Sequence, residues 1–158
     1  WDIVTEAGAD LNLRPGCPNL IDRIETGLLS HGNDMTLENN PIESGLDRFF
    51  KLGKTADYLG REALERIAEA GCPLKMVRLI VRGDPARNPP ETYPINLAGT
   101  NLTGCVTSIT YSPRLECNVG MGYVPSDHSE VGTELAIALP DGIVTGRIAD
   151  KDWQSGEN

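Results

Sequence analysis

No apolar run in this sequence approaches the ~20 residues that a membrane-spanning helix needs, and charged residues, 23% of the chain, separate its short hydrophobic segments. No membrane partner is expected. Cations are the scarcer charge: 14 Lys and Arg stand against 23 Asp and Glu, a formal net charge of −9. That balance opposes nucleic-acid binding, which depends on clustered positive charge. A small anion stays open as a ligand, because Arg48, Lys51 and Lys54 act at short range against the overall field. Metal-binding residues are few. There are two histidines, and the four cysteines, Cys17, Cys72, Cys105 and Cys117, include no Cys-x-x-Cys pair. No zinc framework is visible in that spacing. The cysteines read as reduced thiols, with a Cys105–Cys117 bridge across a hairpin left open. The chain starts at Trp1 with no initiator Met and no basic-then-apolar leader. The expectation is a piece of something longer, with residues upstream that carry chemistry.

What is present is enough for a core, since 158 residues with 39% hydrophobic content bury a sizeable apolar interior. Trp1, Val4, Ala7 and Leu11 recur at helical spacing, and Gly8 is expected to weaken that helix without ending it. A loop rich in proline follows at Arg14–Asn19. Leu20–Leu29 then reads as a strand, with Arg23, Glu25 and Gly27 on one face, and Gly45–Leu52 as a second strand after a polar loop. Leu59, Ala63, Leu64, Ile67 and Ala68 give a helical face, with Gly71 in the C′ position and Pro73 just beyond.

After Pro73 the pattern changes to short alternating runs separated by Gly, Pro and Asn. Strands are predicted at Val77–Val81, Tyr93–Leu97, Gly104–Tyr111, Cys117–Val124, Glu134–Leu139 and Ile143–Ala149. Six strands at this spacing favour a closed or nearly closed antiparallel barrel, which removes exposed edges.

Several patterns carry no chemistry on inspection. Gly120-Met121-Gly122 lacks the third glycine and following helix of a dinucleotide fingerprint, and reads as strand glycines that permit close backbone approach. Asp127-His128-Ser129 are neighbours in one loop and lack relay geometry. His31 stands alone, and Asn101-Leu102-Thr103 is a glycosylation acceptor only in a secreted protein. Glu25 differs, because a carboxylate between Ile24 and Leu28 needs a partner. Arg23, another basic group in the fold, or a ligand with paired N–H donors would each serve.

Arg23-Ile24-Glu25-Thr26-Gly27, Gly32-Asn33-Asp34, Pro41–Leu46, Tyr58–Leu64 and Asn118–Pro125 occur in that order. Together they resemble the C-terminal half of the glycine cleavage T-protein family. Val106-Thr107-Ser108 and Tyr111-Ser112-Pro113 resemble its barrel domain, and Gly16–Asn19 leading into Ile24–Ser30 is most similar to the dimethylsulfoniopropionate demethylase branch. The resemblance implies an α+β chain: part of an α/β folate-binding domain over residues 1–73, then a small antiparallel β-barrel over residues 74–158. It implies tetrahydrofolate as cofactor, a small methylated or aminomethyl donor, and a cytoplasmic setting. Oligomeric state stays open.

By the same resemblance Glu25 is the carboxylate that hydrogen-bonds the pterin ring, Lys54 lies near the basic folate contact, and Trp153 matches an aromatic position near the family's C-terminus. The family's catalytic aspartate belongs to the missing N-terminal half, so this chain by itself is expected to be inactive. The alternative is a non-catalytic folate-binding accessory or docking module of the same fold. Against it, Thr55–Glu62 lacks the Lys-Gly-Cys of the iron–sulfur assembly branch.

Overall fold

From Leu74 onward, aliphatic and polar residues alternate, and each alternating run forms a strand. In the computed structural model, which describes residues 1–14, 16, 19–53, 57–96 and 103–153, the strands are β1 (Leu74–Val81), β2 (Tyr93–Asn96), β3 (Thr103–Ser112), β4 (Cys117–Pro125), β5 (Glu134–Leu139) and β6 (Gly142–Ala149). They close in the order β1-β4-β3-β2-β5-β6, every pair antiparallel, with β6 returning to β1. The closed six-stranded barrel is the architecture that the strand spacing predicted. Lys54, Cys17 and the Asn101-Leu102 pair lie outside the described residues. No helix among the described residues is long and apolar enough to cross a membrane.

Period-two alternation assigns each strand an inner and an outer face. Val77, Leu79 and Val81 of β1, Ile95 of β2, Val106 and Ile109 of β3, and Leu135 and Ile137 of β5 fill the barrel. The opposite face of β1 and β4 carries Met76, Ile80, Val119 and Met121, which pack with Ile24, Ala149 and Trp153. β4 is therefore buried on both faces along most of its length. Gly120 and Gly122 make that possible: a Cβ on Gly122 would stand 2.2 Å from the Cys105 carbonyl oxygen, so only glycine lets β3 and β4 approach this closely. Cys105 and Cys117 are free thiols. They pair with Tyr123 and Ser112 at opposite ends of the β3–β4 ladder, which rules out the bridge between them.

Residues 1–73 depart further from expectation. Leu20–Leu29 is no strand: Leu20–Thr26 is a helix, α2, following α1 (Asp2–Ala7). Asn19 caps α2, its Oδ1 accepting from the Asp22 backbone N–H at 2.9 Å. Gly27, at φ +71, ends it in the left-handed conformation that glycine adopts readily. Gly45–Leu52 is no strand either. Gly45 holds a positive φ of 68, and Asp47–Phe49 forms a 3₁₀ turn. Gly8 terminates α1, contrary to expectation, and a 3₁₀ turn at Ala9–Leu11 follows. The predicted helix before Pro73 is α3 (Arg61–Ala70), with Gly71 at its C-terminus.

Candidate functional site

α2 has seven residues, too few for an isolated helix to persist in water, so its position depends on tertiary anchors. Ile24, fully buried, packs on the outer face of β4. The carbonyls at the helix C-terminus, which have no partner within the helix, are met from elsewhere. Leu28 N–H donates to the Arg23 carbonyl at 2.9 Å and Gly27 N–H to the Ile24 carbonyl at 2.9 Å. Trp153 Nε1 donates to the Glu25 carbonyl at 2.8 Å, and Arg78 Nη2 to the Thr26 carbonyl at 3.3 Å. The Arg78 guanidinium also lies 5.2 Å from the centre of the Trp153 ring. A cation in that place complements the negative end of the helix dipole. Burial and the nearby Arg48 lower the Arg78 pKa, while Asp152 and Asp150 oppose them. Trp153 has φ +63, a costly conformation for a bulky aromatic, which surrounding contacts must hold.

The Glu25 side chain is 13% exposed and both of its oxygens are engaged. Oε1 accepts from Ser112 Oγ at 2.5 Å, and Oε2 from Arg114 Nε at 2.8 Å and Nη2 at 2.7 Å. The Ser112 hydroxyl is the largest influence holding the carboxyl below its ordinary pKa; desolvation opposes it, and Arg114 adds to the lowering. Glu25 is thus an ionised carboxylate at the junction of α2, β3 and the β3–β4 turn. Its partner is Arg114, and Arg23 pairs with Asp34. Sequence reasoning brought Glu25 and Trp153 to the candidate list, and the structure places them side by side. It had no means to find Ser112 or Arg114, which lie 87 and 89 positions away.

Among the cavities, one of about 150 Å³ beside Gly27 is bounded by Ser44, Arg48, Met76, Arg78 and Met121. Ligand pockets usually enclose ~300–1,000 Å³, so this one is too small to hold a folate by itself. A shallower hollow of about 570 Å³ lies between Ile42, Cys72 and Ser126, and neither Glu25 nor Trp153 lines it. No group of three or more His, Cys, Asp or Glu suited to a metal occurs among the described residues.

Residues 75–153 match the family of the glycine cleavage T-protein C-terminal barrel domain, a match that ends on Trp153. The chain is 40% identical over 154 residues to the dimethylsulfoniopropionate demethylase DmdA of Ruegeria pomeroyi, covering 98% of this chain and 41% of that protein. It is 36% identical to an aminomethyltransferase of Symbiobacterium thermophilum, covering 95% and 40%. The crystal structure of the glycine cleavage system aminomethyltransferase T of Bartonella henselae superposes with a TM-score of 0.74 at 26% identity, over 86% of this chain and 38% of that one. The chain spans about two-fifths of the length of these curated relatives. With half of its residues matched and a closed six-stranded barrel in place, the chain belongs to the glycine cleavage T-protein C-terminal barrel family.

Proposed function

We propose that this chain is the C-terminal portion of a tetrahydrofolate-dependent transferase that moves a methyl or aminomethyl unit onto the folate. In this reading residues 1–73 complete a folate-binding domain and α2 forms one wall of its site. The observation that carries the reading is the ionised Glu25 carboxylate, fixed on α2 by the Trp153 indole and on β3 by Ser112. The names of the relatives, a demethylase and aminomethyltransferases, support the same reaction class.

The residues present fit a pterin edge with one adjustment. A carboxylate offers about four acceptor positions. Ser112 takes one on Oε1 and Arg114 takes both on Oε2, which leaves Oε1 open to one N–H donor. Arg114 is 63% exposed, and exposed ion pairs of this kind contribute only ~0–1 kcal/mol. Its release frees Oε2 for the second donor. Tetrahydrofolate, when bound, supplies the nitrogen that accepts the one-carbon unit. Glu25 then orients the ring through two N–H donors, Trp153 keeps the end of α2 in register, and Lys54 opposes the anionic end of the cofactor. The catalytic aspartate belongs to a part of the parent protein outside this sequence.

Calorimetry of the intact protein with tetrahydrofolate, wild type against Glu25→Gln, tests the reading. A charge-assisted contact is worth ~1.5–3 kcal/mol, so the variant should bind at least tenfold more weakly, on the order of that energy. Equal affinities would remove Glu25 from the site. Tight folate binding without transfer from any methylated or aminomethyl donor would favour an accessory module instead.

A further inference from the structure

Asp34 is a charged group whose acceptor positions are all filled. Its side chain is fully buried. Oδ1 accepts from Thr107 Oγ1 at 2.8 Å and Ser108 Oγ at 2.5 Å; Oδ2 accepts from the Ser30 backbone N–H at 2.8 Å and from Arg23 Nη1. Four donors occupy the four acceptor positions of a carboxylate. The Ser108 hydroxyl is equally complete: it donates to Asp34 and accepts from Arg23 Nη2 and Asn33 Nδ2, both at 2.7 Å. A network with no unfilled position has one arrangement, and so it fixes geometry.

The strand is built to present these hydroxyls. In a regular strand, consecutive side chains point to opposite faces, and Thr107 and Ser108 could not both reach one oxygen. The β3–β4 register shifts between Val106 and Ser108, and such a bulge re-aims a side chain. The same strand reaches α2 again four residues later, where Ser112 holds Glu25. β3 therefore grips the helix twice, at Arg23 through Ser108 and at Glu25 through Ser112. A buried charged pair contributes little net stability over an apolar contact of the same size, which leaves orientation as what this one provides.

We propose that Asp34, with the Thr107-Ser108 bulge, is the positioning unit for Glu25, locking the rotation of α2 so that the carboxylate meets the pterin edge. The inference rests on Glu25 being the folate contact and extends that reading to residues that never touch the ligand. Two measurements separate the two claims. The first is the titration of the Glu25 carboxyl, followed by carbon NMR in the protein without folate. The second is the tetrahydrofolate affinity of Asp34→Asn on the wild-type and Glu25→Gln backgrounds, measured in the intact protein.

In Asp34→Asn the Glu25 titration should move up toward its ordinary value of 4.5. Folate affinity should fall about tenfold on the wild-type background, with no further loss on the Glu25→Gln background, because coupled residues are non-additive. A folded variant in which Glu25 titrates as in the wild type overturns the proposal, as does a loss of equal size on both backgrounds. If the wild type binds no tetrahydrofolate, the functional reading falls while the titration still decides whether Asp34 positions Glu25. Should Asp34→Asn fail to fold, Ser108→Ala, which removes one donor to Oδ1 and the shared acceptor of Arg23 and Asn33, is read in the same way.

Discussion

Trp153 Nε1 donates to the backbone carbonyl of Glu25 at 2.8 Å, joining two residues 128 positions apart. The indole caps a carbonyl at the C-terminus of α2, and its ring fills the space between Ile24, Val119, Met121 and Ala149. These contributions separate by mutation. Trp153→Phe keeps most of the ring and loses the donor, and should cost about 1–3 kcal/mol, the range for a buried group left without its hydrogen-bond partner. Trp153→Ala also leaves a cavity and should cost about 3–5 kcal/mol. Urea unfolding midpoints at constant slope give both numbers, and equal costs for the two variants would show that the hydrogen bond matters more than the packing.

Glu25 links stability to pH. Its folded pKa lies below its unfolded value of 4.5, chiefly because Ser112 donates to the charged form. The contribution is therefore fully present above the unfolded value and is lost as pH falls through the depressed folded one. As pH falls from just above 4.5 through the depressed folded pKa, wild-type protein should lose stability more steeply than Glu25→Gln, which has no such proton to bind. Parallel curves for the two proteins across that interval would mean that Glu25 is not held as its contacts indicate.

Gly122 sits at a close approach of β3 and β4, next to the bulge. A methyl group there meets the Cys105 carbonyl oxygen at 2.2 Å and the Val106 Cα at 3.0 Å, both of them backbone atoms that no rotamer change can move. Gly122→Ala should destabilise the barrel by about 1–3 kcal/mol, the usual cost of overpacking, or prevent folding. A thermal midpoint unchanged from wild type would indicate a looser β3–β4 ladder.

The barrel was legible because its strands announce themselves by alternation: Glu134–Leu139 has the bounds read from sequence, and the glycines of β4 have the close contacts their pattern suggested. α2 was not legible by that rule. Ile24 and Thr26 are β-branched and alternate with Arg23, Glu25 and Gly27, so period two fits them, while Leu20, Ile24 and Leu28 fit a helix equally well. The deciding signals were the ends, Asn19 as N-cap and Gly27 at C′. The surroundings of Glu25 were beyond reach for another reason. Ser112 and Arg114 come to it only through the docking of α2 on β3, and Thr107 and Ser108 reach Asp34 together only because of a bulge that sequence does not mark.

Arg114 and Ser112 hold the same carboxylate with unequal consequences, and burial decides which matters for which property. Ser112 is fully buried, donates to Glu25 Oε1 and also accepts from the Leu115 N–H at 3.1 Å. Ser112→Ala leaves both groups short of a partner, and should cost about 1–3 kcal/mol. Arg114 is 63% exposed, so Arg114→Ala should change stability by less than ~1 kcal/mol. Its effect on ligand affinity has the opposite sign. The guanidinium occupies both positions of Oε2, so a ligand that uses both Glu25 oxygens has to displace it. Removing that competitor should strengthen tetrahydrofolate binding by up to about fivefold, the factor that corresponds to ~1 kcal/mol. Calorimetry on Arg114→Ala and Ser112→Ala in the intact protein decides the matter: tighter binding in the first and weaker in the second identifies Arg114 as a placeholder, whereas weaker binding in both would make it a ligand contact in its own right.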